Sequence, residues 1–292
     1  MMQPVGEPSF LQKLTSTADA HHSWLCVGLD PDPRLMPSPL RRGPDRDRVA
    51  TFLRGIVEAT QDLVCCYKPN LAFFEALGVE GFAVLREVLD AVPAGVPVMA
   101  DAKRADIGSS SDAYARAIFH ELGFDAVTVN PYLGGDALEP FFAVPEKGVF
   151  VLARTSNPGA AAFQELLVPS GTARQQPLYL VVTEQALTWD QHGTLGFVVG
   201  ATAPKAVAAV RQLAPEAPIL LPGVGAQAGD LEASVTAAVD AQGERALVNA
   251  SRGVLYASAG ADWQDAARQA AEDLRGAINA ARGMPTAPPP GP

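Results

Sequence analysis

Eight short apolar runs, each followed by a stretch of helical periodicity, constrain this 292-residue chain more than any other feature. They are "WLCVGLD" (24–30), "LVCCYKP" (63–69), "VPVMADAK" (96–103), "DAVTVNP" (125–131), "GVFVLART" (148–155), "LGFVVGAT" (195–202), "PILLPGVG" (218–225) and "RALVNASR" (245–252). Short runs rich in Val, Leu and Ile read as buried strands, and the segments between them, among them 73–92, 112–122, 203–213 and 261–281, read as helices. Strands that alternate with helices call for a parallel sheet with right-handed crossovers. Eight such units at this length predict an α/β fold closed into a (β/α)8 TIM barrel, one domain over 1–282. An open doubly wound sheet is the competitor, but the one glycine signature, "PGVGAQAGD" (222–230), spaces Gly223, Gly225 and Gly229 one residue away from the dinucleotide-binding pattern. The longest departures from a minimal barrel are the Pro- and Arg-rich 31–47 and the loop 157–177. The ending "MPTAPPPGP" gives a disordered Pro-rich tail over 283–292.

Charge and composition narrow the partners. Lys and Arg number 22 against 32 Asp and Glu, a formal net charge of −10, which argues against a general nucleic-acid binder because phosphate backbones are held by clustered cations. No apolar run approaches the ~20 residues that span a bilayer, and the start "MMQPVGEPSF" has no apolar signal core. The expectation is a soluble cytoplasmic protein with no membrane and no nucleic-acid partner. Cys26, Cys65 and Cys66 lie inside apolar runs and read as reduced core thiols. His21, His22, His120 and His192 are scattered, so no metal site is expected.

In a barrel of this kind the C-terminal strand ends surround the active site, so strand ends are read for chemistry. Asp30 ends the first run, Lys68 the second, Asp101 and Lys103 the third, and Asn130, Thr155 and Arg252 the fourth, fifth and eighth. Positions two apart share a strand face, which points Asp101 and Lys103 the same way while Ala102 packs on the other side. Asp106 lies beyond the strand. Two lysines and two carboxylates in one confined mouth form an alternating charge network able to keep a lysine protonated as a general acid. The bland reading of "DAKRAD" is a solvated loop with surface ion pairs; its coincidence with a strand end, and the partners at other strand ends, favour the functional one.

Asp101, Lys103, Asp106 and Ile107 form a D-x-K-x-x-D-I pattern, and with "GLDP" (28–31), "YKPNLAFFEALG" (67–78), "PGVGAQAGD" and "SRG" (251–253) in order, the chain resembles the orotidine 5′-phosphate decarboxylases. The longer first and fifth loops resemble the second, longer (type 2) subfamily. The resemblance implies decarboxylation of orotidine 5′-monophosphate to UMP, the last step of de novo UMP (pyrimidine) synthesis, without metal or organic cofactor. By position it makes Lys103 the donor of a proton to C6, Asp101 the neighbour of the substrate carboxylate, and Lys68 the bridge between Asp101 and the ribose. Asp30 would bind a ribose hydroxyl, and Thr155 or Ser156 the pyrimidine. Gly223, Gly225, Gln227, Arg252 and Gly253 would hold the phosphate. Asp106, with Ser110 beside it, would cross a homodimer interface into the partner's site. Two other readings stand: a metal-dependent sugar-phosphate decarboxylase or aldolase of the same superfamily, and a catalytically silent nucleotide-binding barrel.

Overall fold

The computed structural model describes residues 8–170, 172–224 and 230–283. Each of the eight runs forms a strand: β1 Leu25–Leu29, β2 Cys66–Pro69, β3 Met99–Arg104, β4 Ala126–Val129, β5 Gly148–Arg154, β6 Leu195–Val199, β7 Ile219–Leu221 and β8 Ala246–Ala250. They pair in parallel in the order β2-β1-β8-β7-β6-β5-β4-β3. The two ends of that order meet through the bridges Tyr67–Val98 and Asn70–Asp101, so the sheet closes on itself as the expected (β/α)8 barrel. Every residue of β1, β2, β4, β6, β7 and β8 is buried. One face of each strand packs inside the barrel and the other under helices, so these runs show no polar alternation.

The helix Phe10–His21, which no strong periodicity announced, lies across the N-terminal ends of β3–β5. Its start is fixed by a capping box in which the Ser9 hydroxyl accepts from Gln12 N and the Gln12 side chain accepts from Ser9 N. Phe10 N donates to Glu146 O at 2.7 Å, Thr17 donates to Gly95 O at 2.9 Å, and Lys13 pairs with Asp125 at 2.7 Å. This end of the barrel is thereby covered, and the C-terminal end is left for ligands.

Two predicted helices appear as Pro204–Leu213 and Trp263–Ala281. The spacing predicted one helix over 73–92; the structure divides it into Leu71–Glu75, a 3-10 turn Gly78–Glu80, and Gly81–Asp90. The second piece folds back so closely that a Cβ on Gly81 would sit 1.8 Å from the Phe74 carbonyl oxygen. The segment predicted at 112–122 starts earlier, at Ser109, and widens to a π-helical turn over Ala117–Glu121. The 157–177 segment, expected as a loop, carries a short helix Ala161–Gln164 and an antiparallel ribbon, Leu167–Ser170 against Thr172–Pro177. The Pro-rich stretch from 284, with Gly225 and Gln227, lies outside the described residues.

Candidate active site

A cleft of about 710 Å3 opens at the C-terminal ends of the strands. Six strands deliver predicted residues to its wall: Asp30 after β1, Lys68 on β2, Asp101 and Lys103 on β3, Thr155 and Ser156 after β5, Gly223 after β7, and Arg252 after β8. Parallel register sets some of these positions directly, since Lys68 sits opposite Gly28 two residues before Asp30.

Asp101 joins two cations. Its Oδ2 lies 3.0 Å from Lys68 Nζ, and its Oδ1 pairs with Lys103 Nζ while accepting the Thr128 hydroxyl at 3.0 Å. Burial alone would raise the Asp101 carboxyl, but Lys68 and then Lys103 outweigh it and hold the group well below the ordinary carboxylate range. Burial likewise opposes the Lys68 ammonium, yet attraction to Asp101 and Asp30 leaves it more basic than an ordinary lysine. Both therefore stay ionised at neutral pH. Their exposures separate their partners: the Lys68 side chain is 4% exposed and fixed, whereas that of Lys103 is 47% exposed and reaches into the cleft.

The path of β3 departs from a regular pleat. Ala100 stands opposite Val127 and Arg104 opposite Val129, so four steps along β3 span two along β4. Within this bulge Lys103 adopts φ +49°, in the left-handed region. Simple two-residue alternation is therefore corrected here: the Lys103 ammonium does meet Asp101, but through a bulge, and Ala102 is buried as expected.

At the other wall, Gly223, one residue beyond the Pro222 that follows β7, takes φ +94°, a conformation suited to glycine. Arg252 opens the short helix Arg252–Leu255, and among the described residues its guanidinium forms no ion pair. The Thr155 hydroxyl is engaged by Asn157 at 2.7 Å and Gln164 at 2.9 Å, while the side chain of Ser156 has no such bond among the described residues.

Four predicted positions do not line this cleft. Asp106 is half-buried and accepts Ile107 N at 2.8 Å; Ser110 is exposed in the first turn of Ser109–Arg116; Gly253 is exposed within its short helix; Asn130 caps the turn Pro131–Leu133. Sequence reasoning in turn missed Asp32, Arg34, Asn249, Ser251 and Tyr256, all of which reach the cleft. Arg34 grips Asp32 through Nε at 2.9 Å and Nη2 at 2.7 Å, and Asp32 N donates to the Tyr256 hydroxyl at 2.6 Å. Tyr256 stacks on Phe52 at 5.3 Å, and burial pushes its phenol up to about 12, so it stays protonated. The available signal was "DPDPR" directly after a strand end.

The model of the Orotidine 5′-phosphate decarboxylase / HUMPS family matches residues 23–270. The orotidine 5′-phosphate decarboxylase of Roseiflexus castenholzii is 50% identical over 274 residues, covering 94% of this chain and 98% of that protein. That of Thermomicrobium roseum is 50% identical over 275 residues, covering 94% and 96%. The solved structure of Leishmania donovani OMP decarboxylase superposes with a TM-score of 0.81 at 41% identity, covering 95% of this chain and all of the other.

Proposed function

This chain belongs to the orotidine 5′-phosphate decarboxylase / HUMPS family, and on that footing we propose that it is a carboxy-lyase converting orotidine 5′-monophosphate to UMP and carbon dioxide in pyrimidine biosynthesis. The observation that carries the reading is Asp101 held between a buried lysine and one that reaches the cavity. When the bond from C6 to the carboxylate breaks, its electron pair stays in an sp² orbital at C6 that the ring cannot delocalise. The Lys103 ammonium stabilises that charge and delivers its proton to C6 as carbon dioxide leaves. A cation fixed before reaction acts where charge develops and needs no reorganisation. Asp101 faces the departing carboxylate, and Lys68 holds Asp101 ionised while reaching the ribose with Asp30.

Arg252 and the Gly223 backbone take the phosphate, joined by Gly225, Gln227 and Gly253, as barrels often build an anion site after strands seven and eight. Of the two candidates for the pyrimidine, Ser156 is favoured because Asn157 and Gln164 already occupy the Thr155 hydroxyl. Asp106 and Ser110 serve the partner's site in a homodimer. Support comes from their absence from their own chain's cleft and from the exposed apolar side chains of Ile107, Tyr132 and Leu133 in the adjoining loops. No metal or cofactor enters this reading.

The test follows the absorbance loss as orotidine 5′-monophosphate becomes UMP, in chelator, for the wild type and Lys103→Ala. Turnover should persist in chelator and fall by at least about 100-fold in the variant, whose proton donor is gone, while UMP still binds. Near-native turnover by Lys103→Ala would sink the assignment. A requirement for magnesium and a sugar phosphate would transfer it to the related metal-dependent chemistry, and UMP binding without any turnover would leave a silent nucleotide-binding barrel.

A further inference from the structure

Resting on the decarboxylase reading, we propose that Thr128, which lies outside the cleft, is a positioning residue that sets where the Lys103 ammonium stands. Between Ala100 and Arg104 the ladder to β4 lapses, and neither Ala102 nor Lys103 is paired in register with β4. Their two amides donate instead to one atom, Thr128 Oγ1, at 3.1 and 3.0 Å. That hydroxyl gives its single proton to Asp101 Oδ1 at 3.0 Å, which exhausts its one donor and two acceptor sites. Thr128 is 1% exposed, so water cannot take its place without repacking.

One oxygen thus ties the backbone of residue 103 to the carboxylate that pairs with residue 103's own ammonium. The tie matters because Lys103 holds φ +49°, a conformation non-glycine residues keep only when their surroundings impose it. Removing the hydroxyl leaves two amides in the bulge without this acceptor and takes a donor from Asp101. The relief open to the chain is relaxation of residue 103 toward extended backbone, which swings the ammonium away from C6.

The test compares Thr128→Val, which keeps the shape and loses the hydroxyl, with Thr128→Ser, which keeps the hydroxyl. A displacement near 1 Å can cost on the order of 100-fold in rate, so kcat should fall by about that factor in Thr128→Val with UMP affinity unchanged, and Thr128→Ser should recover most of it. The acid limb of the kcat profile should also move to higher pH in Thr128→Val, since the Asp101 carboxylate has lost a donor. Unchanged kcat in folded Thr128→Val, or equal losses in the serine and valine variants, would overturn the proposal. Amide hydrogen exchange without substrate gives a readout independent of turnover: the Lys103 amide should be protected in the wild type and in Thr128→Ser. An unprotected Lys103 amide in the wild type refutes the positioning role even if Thr128→Val cannot fold. A wild type inactive on orotidine 5′-monophosphate but protected at Lys103 refutes only the reaction.

Discussion

Replacing Asp101 by Asn removes the charge that makes Lys68 tolerable inside the barrel. The two groups stand 3.0 Å apart with side chains 4% and 12% exposed, and at an effective dielectric constant of about 20 their attraction is about 5.5 kcal/mol. Breaking a buried pair by removing one partner typically costs ~3–5 kcal/mol. Because Asn keeps the shape and one acceptor, the lower end, about 3 kcal/mol, is expected for Asp101→Asn. At ~2–4 °C per kcal/mol for domains of comparable size, Tm should drop by about 6–12 °C.

The sign with pH follows from the two shifts. Asp101 is depressed in the folded state, so its contribution is complete above the unfolded value of ~3.9 and is lost as pH falls below it. Lys68 is raised, so its contribution is complete below ~10.4 and is lost as pH rises above it. The wild type's advantage over Asp101→Asn should therefore be flat around neutrality and shrink toward both extremes. Adding Lys68→Met removes the stranded charge, so the double variant should be more stable than Asp101→Asn alone. Urea and thermal unfolding across the four members of this cycle measure the coupling. Strictly additive losses, or a loss below about 1 kcal/mol in Asp101→Asn at neutral pH, would refute the reasoning, for a buried pair of this kind must couple.

Two further outcomes concern the ligand and the partner chain. Arg252→Ala should weaken UMP binding by about 10–100-fold, the worth of a charged hydrogen-bonded contact, with a smaller effect on kcat; unchanged affinity by titration calorimetry would move the phosphate elsewhere. Lys103→Ala and Asp106→Ala homodimers should each be nearly inactive, yet subunit exchange between them should restore about a quarter of the wild-type sites, because one site of each heterodimer collects neither lesion. Absence of recovery when mass spectrometry proves exchange would mean that Asp106 serves its own chain.

The barrel was legible because six of its eight strands are buried at every residue, and β3 and β5 over their first residues, so all eight read as apolar runs. The helix Phe10–His21 was not, since its capping box rather than a strong stripe defines it. The break within 73–92 depends on how closely Gly81 approaches Phe74, a tertiary distance. In the site, Lys68, Asp101 and Lys103 stood out because charges at strand ends have no packing reason to be there. Thr128 did not, because threonine in a strand is what β propensity alone would supply; its importance arises from a bulge in the neighbouring strand. Arg34 and Tyr256 were hidden for a related reason: each reaches the cleft from a segment remote in sequence from the other, and Asp32 joins them.

The closure between β2 and β3 bears on how the molecule becomes functional. Around the rest of the barrel neighbouring strands share ladders of two or more paired residues, some interrupted by a bulge, but among the described residues this junction has only the isolated Tyr67–Val98 and Asn70–Asp101 bridges, and the Lys68–Asp101 pair straddles it. A partly assembled molecule with every other ladder formed and this junction ajar keeps nearly all of its secondary structure and most of its buried surface, yet separates the two charges. During refolding, catalytic activity should therefore return after the helical circular dichroism signal, and the delay between the two traces would time the closing of the ring.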